Sequence, residues 1–394
     1  MTDGSTGWSI WDWPFFESKH RLLSDRLQEW QAQSVAEVDE ASASPYFADE
    51  CRRLALELAR WGFLDYAVPS SSGHADVRAI CLIREALAYK SALADNVFVM
   101  QGLGTAPIWL TENASLIARY VEACRRGERI AAIAVTEPDA GSDVAAISTT
   151  AFPTKGGFLL NGEKLWITNA GVADQYLVLA RTEEGAGARG LSMFAVDASA
   201  KGLHIGPPAQ MIAPHPIAGL SFRDCFVPES HLVGTLGGGF KLAMSTFDIF
   251  RTSVGAAAIG MARRALDESR SRVKSRRMFG GFMSELPGVQ SRLSDMVLDT
   301  EAGALLVYRA AWMKDTKSGR VSREVAMAKL GATEAAQRVI DSAVQLFGGL
   351  GVSRTCIVEQ LYRDIRPLRI YEGASDVQKL VIAREYLRDE VVNP

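Results

Sequence analysis

The sequence predicts a mainly α-helical chain with a central β domain, in the order α–β–α. Three observations carry this. Apolar residues recur at three and four positions up to about residue 130 and again beyond about 240. Between these stretches, from about 131 to 235, the spacing changes to that of strands, broken by Gly-rich or polar turns. At 394 residues the chain exceeds one ordinary domain, and the changes of texture divide it at 1–130, 131–235 and 236–394.

Helices are predicted over Arg21–Gln33 and Phe47–Trp61, followed by the loop Val68-Pro69-Ser70-Ser71-Ser72-Gly73 and a helix over Val77–Lys90. In the middle, Phe158-Leu159-Leu160 runs into Asn161-Gly162, the strongest short hairpin signal, and Lys164–Thr168 is expected to return beside it. Tyr176–Ala180, Leu191–Val196 and Leu220–Val227 continue the strands. In the last third Val254, Ala258, Met261 and Ala265 share one helix face, as do Ala328, Ala332, Ala335 and Val339. Residues this small permit close helix packing, in a bundle core or at a subunit interface. There is no internal repeat and no low-complexity tract.

Composition narrows the class. With 48% hydrophobic and 23% charged residues the chain can bury a large core. Its 43 basic and 46 acidic residues leave a net charge of −3, which offers no footprint for nucleic acid. Five cysteines without a C-x-x-C pair read as reduced intracellular thiols. The five histidines show no ligand spacing, so no metal is expected. The start, Trp8 to Glu17, lacks the basic and unbroken apolar runs of a signal peptide, and no stretch is long enough to span a bilayer. A cytoplasmic protein is the expectation.

The chemistry concentrates near the end. In Ile370-Tyr371-Glu372-Gly373-Ala374-Ser375 a lone carboxylate follows an aromatic residue and precedes a glycine, where a helix is interrupted by a tight turn. Apolar flanks Leu368, Ile370 and Tyr371 would desolvate Glu372, as suits a general base. Alone, Glu-Gly near a helix end is most often a cap. Two upstream segments change that reading: Ala134-Val135-Thr136-Glu137-Pro138-Asp139-Ala140-Gly141-Ser142-Asp143 and Gly162-Glu163-Lys164-Leu165-Trp166-Ile167-Thr168-Asn169-Ala170. Arg276-Arg277-Met278-Phe279-Gly280 and Gln345-Leu346-Phe347-Gly348-Gly349-Leu350-Gly351 follow in order.

Together these five segments resemble the acyl-CoA dehydrogenase family of flavoenzymes, from about residue 45 to about 390. The resemblance implies a helical N-terminal domain, a β-barrel-like middle domain and a C-terminal four-helix bundle. It implies FAD, with Trp166 backing the ring, Thr168 bonding near N5, and main-chain donors around Val135 and Ile167. Thr136 and Ser142 would add hydroxyls, Gly141 close backbone approach, and Ser142 a substrate contact as well. Arg276, with Phe279, would meet the FAD pyrophosphate of a neighbouring subunit, because a guanidinium suits phosphate. Gln345, Gly348 and Gly349 would reach the cofactor across a dimer interface, and Ser375 would lie at the cofactor too. A homodimer or homotetramer follows from such shared sites.

The implied reaction is α,β-dehydrogenation of an acyl thioester, on CoA or on an acyl-carrier protein. Glu372 removes the α-proton and flavin N5 accepts the β-hydride, while the Glu372 N–H and a ribityl hydroxyl polarise the carbonyl. Gly373 would line the substrate, and Asp248 and Arg251 would bind pantetheine or nucleotide, or equally form a surface pair. The segment Asn96–Gln101 is expected at the pocket floor. Electrons would pass to an electron-transfer flavoprotein or to oxygen. Some relatives place the base just before the arginine matching Arg251; here Phe250 stands there and cannot take a proton. Other departures are Pro287 for a glutamine, with Gln290 three residues on, Ala374 for a threonine, and Ser70-Ser71-Ser72-Gly73 for a Gly-Gly loop. A flavin-dependent oxidase or monooxygenase of a biosynthetic pathway, or a non-catalytic relative, is the alternative. Intact Thr168 and Glu372 count against the last.

Overall fold

The computed structural model describes residues 10, 13–33, 46–70, 75–213, 215–317 and 319–388. Trp8, Ser9, Trp11 and Asp12 of the aromatic start, and Ser71, Ser72 and Gly73 of the first predicted loop, lie outside the described residues. The first helices are α1 (Ser18–Gln33), α2 (Tyr46–Arg60), α3 (Leu64–Ala67), α4 (Val77–Lys90), α5 (Ala92–Leu103), α6 (Ala106–Trp109), α7 (Ala114–Leu116) and α8 (Glu122–Arg125). The strands are β1 (Ala131–Ala134), β2 (Thr150–Thr154), β3 (Gly157–Thr168), β4 (Gln175–Arg181), β5 (Leu191–Asp197), β6 (Leu203–Pro208), β7 (Ile217–Pro228) and β8 (Leu232–Val233). Beyond them come α9 (Gly239–Ser275), a small hairpin of β9 (Arg277–Met278) and β10 (Gly281–Phe282), then α10 (Pro287–Thr316), α11 (Ser322–Phe347), α12 (Ile357–Leu368) and α13 (Ser375–Tyr386). The α–β–α order is as the sequence reading expected.

Two compact units divide these elements. One holds α1, α4 and everything from Arg251 of α9 onward; the other holds α2, α3, α5 to α8 and the sheet, up to Phe250. In the first, α4 begins cleanly because Asp76 caps it, accepting from Ala79 N at 3.0 Å. Asp315 of α10 takes the next two amides, from Val77 at 2.8 Å and Arg78 at 3.1 Å. Both predicted small-residue faces are buried as expected. They pack tightly: a Cβ added at Gly255 of α9 would fall 2.8 Å from Val307 Cγ2 and 3.2 Å from Ala332 Cβ. A buried polar set crosses this core, with Arg263 Nε donating to Glu85 at 2.9 Å and Tyr308 Oη to the same carboxylate at 2.5 Å.

In the second unit the strands run in the order β6-β7-β3-β2-β4-β5-β8, with β1 parallel to β4. The hairpin expected at Asn161-Gly162 is not one. β3 continues straight through those residues, and the turn falls earlier, at Lys155-Gly156 between β2 and β3. The register of β3 on β7 slips between Leu160 and Gly162, so the pair forms a bulge. Gly162 has φ 143°, and a Cβ there would fall 2.7 Å from Thr149 Cα. Asn161 spends its amide across the sheet, accepting from Asp224 N at 2.8 Å and donating to Asp224 Oδ1 at 3.2 Å. The five cysteines are free thiols, all buried. Among the described residues no helix is long and apolar enough to cross a membrane.

Candidate active site

In the unit that carries the sheet, β1 runs into the Val135–Asp143 turn, and that turn is anchored by a buried carboxylate. Glu137 accepts from Ser148 N at 2.6 Å, Ser148 Oγ at 2.8 Å and Thr149 N at 2.9 Å. Lys164 of β3 adds its ammonium, 2.7 Å from Glu137 Oε1, and also donates to Val135 O at 3.1 Å. Burial alone would raise the Glu137 carboxyl, but the Lys164 charge and these hydrogen bonds outweigh it and hold it down to about 2. Burial pushes Lys164 down to about 8 against the pull of Glu137. Neither residue was singled out from the sequence. The signal was a charged residue inside each of two motifs, Glu137 in the turn after β1 and Lys164 on β3.

The ion pair fixes one motif on the other, and Leu165 N donates to Thr136 O at 2.9 Å beside it. Just beyond, the register of β3 slips again between Lys164 and Ile167. Trp166 takes the left-handed φ of 60° and stands 54% exposed. A bulky aromatic residue is rarely held this way, and such strain is found where a side chain is aimed for use. Ile167 is buried, so only its main chain is available, whereas Thr168 is half-buried. Asn169, also left-handed at φ 65°, is tied by its amide nitrogen to Ala131 O at 3.1 Å, and its buried Oδ1 has no partner among the described residues. At Gly141 an added Cβ would meet nothing within 4 Å among the described residues, and Ser142 beside it is exposed. An open indole face, a nearby hydroxyl and an uncovered glycine fit a flat, hydrogen-bonding ring system.

The other expected cofactor residues lie in the other unit. β9 and β10 pair Arg277 with Phe282 and Met278 with Gly281, leaving Phe279 and Gly280 as the two-residue turn. Their φ values, 50° and 85°, are those of the primed hairpin turns. Phe279 is thereby thrust out, 88% exposed, next to an exposed Arg276. At the end of α11 Gly348 turns the chain with φ 62°, and Gln345, Gly348 and Gly349 are all exposed. Pro287 occupies the first turn of α10, where a helix has no use for its missing N–H. Gln290 donates to Ser284 O at 3.1 Å.

Glu372 sits between α12 and α13, as expected, and two consecutive left-handed residues make the turn: Glu372 at φ 51° and Gly373 at φ 92°. Its flanks are mixed, since Leu368 is buried but Ile370 is 57% exposed. Arg251 Nε donates to Glu372 O at 3.2 Å, and Lys329 Nζ and Gln378 Nε2 both donate to Gly373 O at 2.9 Å. From the sequence Arg251 is either a substrate contact or one half of a surface pair with Asp248; in the structure its Nε lies on the carbonyl of Glu372. Ser375 donates its hydroxyl to Glu334 at 2.6 Å, and Arg369 Nε donates to the same carboxylate at 2.9 Å. In the sheet unit Asp248 is half-buried, and Phe250 is fully buried against Gly102. Gln101 is spent on the chain itself, donating to Arg129 O at 2.6 Å and accepting from Ala131 N at 2.8 Å.

One unit carries the Glu372 turn on helices, the other a strained tryptophan on a sheet, and comparison with known proteins gives both a family. Residues 132–225 match the acyl-CoA dehydrogenase middle domain, and residues 237–387 match the acyl-CoA dehydrogenase C-terminal domain. A 3-(aryl)acrylate reductase of Clostridium sporogenes is 33% identical over 381 residues, covering 95% of this chain and 100% of its own. Butyryl-CoA dehydrogenase of Megasphaera elsdenii has a solved structure that superposes with a TM-score of 0.85 at 28% identity, over 95% of this chain and 99% of its own. PigA, solved with FAD and proline, superposes with a TM-score of 0.86 at 28% identity, over 94% and 98%. The chain belongs to the acyl-CoA dehydrogenase family.

Proposed function

We propose that this chain dehydrogenates an acyl-CoA thioester between its α and β carbons, with Glu372 as general base. It is an FAD flavoprotein and an oxidoreductase of the acyl-CoA dehydrogenase type, acting on CH–CH bonds. FAD, when bound, supplies the hydride acceptor. Trp166 backs the ring, with Thr168, Thr136, Ser142 and the main chain of Val135, Gly141 and Ile167 holding its polar edge. Glu372 takes the α-proton onto its carboxylate, and the Glu372 N–H polarises the thioester carbonyl. Gly373 and Ser142 line the substrate, and Asp248 contacts its pantetheine. Arg276, Phe279, Gln345, Gly348 and Gly349 serve the cofactor of a second copy, which makes the working unit at least a homodimer. Ser375 supports the cofactor end of α13.

One observation carries the base assignment. Glu372 is held in a left-handed turn whose two carbonyls take three side-chain donors, so its carboxylate is carried on a fixed backbone. The second reading is a thioester tethered to a carrier protein. A relative of the same fold, PigA, was solved with FAD and proline, a ligand that is not an acyl-CoA. Anaerobic mixing of purified protein with acyl-CoA and acyl-carrier thioesters of varied chain length tests both, read as bleaching of the flavin band. Wild type is expected to bleach with at least one series. Glu372→Gln is expected to keep its FAD and lose nearly all of the reduction; a variant reducing flavin at most of the wild-type rate removes Glu372 from the chemistry.

A further inference from the structure

Lys329 lies on α11, 44 positions before the carbonyl it binds. Its side chain is wholly withdrawn from water, among Ala328 and Ala332 on an otherwise apolar stretch of helix. An ammonium is costly to bury, and a neutral amide could have served a carbonyl here, as Gln378 does. What the lysine adds is charge. Its ammonium is attracted by Glu372 and Glu334 and repelled by Arg251 and Arg369, and burial pushes it down to about 8. With Arg251 on the Glu372 carbonyl, two cationic donors and one neutral donor hold two successive peptide oxygens. Both of those residues have positive φ, the conformation an unrestrained glutamate would leave.

We propose that Lys329 is a positioning residue for Glu372: its ammonium pins the Gly373 carbonyl, keeps the Glu372–Gly373 turn left-handed, and biases the carboxylate toward one orientation. This rests on Glu372 being the base. Lys329 itself transfers no proton to substrate. The turn is therefore a braced element, with Gln378 as the neutral half of the brace and Gly373 as the residue that lets the donors approach. A Cβ on Gly373 would fall 2.3 Å from Gln378 Nε2.

The test uses Lys329→Met in the full chain, which keeps length and burial but removes charge and donor. Two readouts are taken: hydrogen exchange of the segment 368–378, and anaerobic single-turnover flavin reduction by the thioester that wild type reduces. The expected result is faster exchange confined to that segment. The maximal reduction rate should fall roughly tenfold or more, with half-saturation changed by less than about threefold, as misplacing a catalytic group predicts. If the variant fails to fold, Gln378→Leu decides, with the same local exchange and a smaller rate loss expected. Wild-type exchange and rate in the folded variant overturn the positioning role. Exchange that accelerates throughout the bundle, with flavin content and rate falling together, overturns it as well, in favour of a plain structural role. Glu372→Gln run in parallel separates the two readings, because only its retention of activity would remove the base itself.

Discussion

Lys164 donates to Glu137 Oε1 at 2.7 Å with both side chains withdrawn from solvent, so one buried ion pair joins the turn carrying Thr136 to the strand carrying Trp166. Removing one member strands the other. Lys164→Met leaves a buried carboxylate with hydrogen bonds but no counter-charge, and a loss of about 3–5 kcal/mol is expected. Urea denaturation measures it. Glu137→Leu combined with Lys164→Met should recover part of the loss, since an apolar pair leaves no charge stranded. A single variant as stable as wild type would show that the pair adds nothing to the fold.

Glu137 also sets an acid limit. Its folded carboxyl is held at about 2 against the ordinary 4.5. A depressed carboxyl contributes stability that is complete above its unfolded value and is lost as pH falls toward the folded one. The midpoint of thermal unfolding should therefore drop between pH 4.5 and about 2, and Glu137→Gln should flatten that part of the curve. Equal slopes in the two proteins would assign the acid loss to other carboxylates.

Trp166 carries its indole on a left-handed backbone that a glycine adopts freely. In Trp166→Gly the relief of strain, roughly 1–2 kcal/mol, opposes the lost side-chain contacts and the added freedom of the unfolded chain. Stability of the flavin-free protein is expected to stay within about 1 kcal/mol of wild type. Flavin retained after desalting should fall sharply. Normal flavin content would take the tryptophan out of the cofactor platform.

The exposed hairpin at Arg276 gives a test of the shared site. Arg276→Ala removes an exposed charge with no side-chain partner among the described residues, and the hairpin is held by its own main chain, Met283 N donating to Arg276 O at 2.8 Å. Folding is expected to be unaffected, while FAD content and the assembled fraction on size-exclusion fall together. A fully loaded, unchanged oligomer would place Arg276 on a plain solvated face.

Much of this was legible in the sequence because helices announce themselves by period. The helix expected from about Val77 to Lys90 spans those residues, and the structure shows Asp76 as its cap. The strands Tyr176–Ala180 and Leu191–Val196 fell within β4 and β5. Asn161-Gly162 misled because the pair signals a turn only where both residues are free to make one; Asp224 and Thr149 engage them from neighbouring segments. The Glu372 turn was readable from Glu-Gly after an aromatic residue. Its supports were not. Lys329 and Gln378 act through a carbonyl, which no side-chain pattern records, and Arg251 reads from the sequence as a substrate contact or a surface-pair member rather than as a support of the turn. Glu137 and Lys164 sat inside the quoted motifs, yet their contact spans 27 positions and depends on where β3 lies beside β1.

Phe250 is held by its surroundings. The family resemblance implies that some relatives present a carboxylate from this position, so Phe250→Glu in a Glu372→Gln background would restore flavin reduction if the side chain had room to turn. It has none. Its ring is fully buried, and a Cβ built on Gly102 of α5 would fall 2.4 Å from Phe250 Cζ and 3.3 Å from Ala67 Cβ. The glycine exists to admit the ring. Two outcomes follow. Gly102→Ala should destabilise by about 1–3 kcal/mol through overpacking, and Phe250→Leu should relieve part of that cost in the double variant. Phe250→Glu should lose several kcal/mol, on the order of 3–5, because it replaces packed apolar surface with a buried carboxylate. Denaturation midpoints measure all four proteins. Flavin reduction in the Phe250→Glu, Glu372→Gln variant should stay at the Glu372→Gln level, and a rate clearly above it would show that the side chain reaches substrate despite its packing.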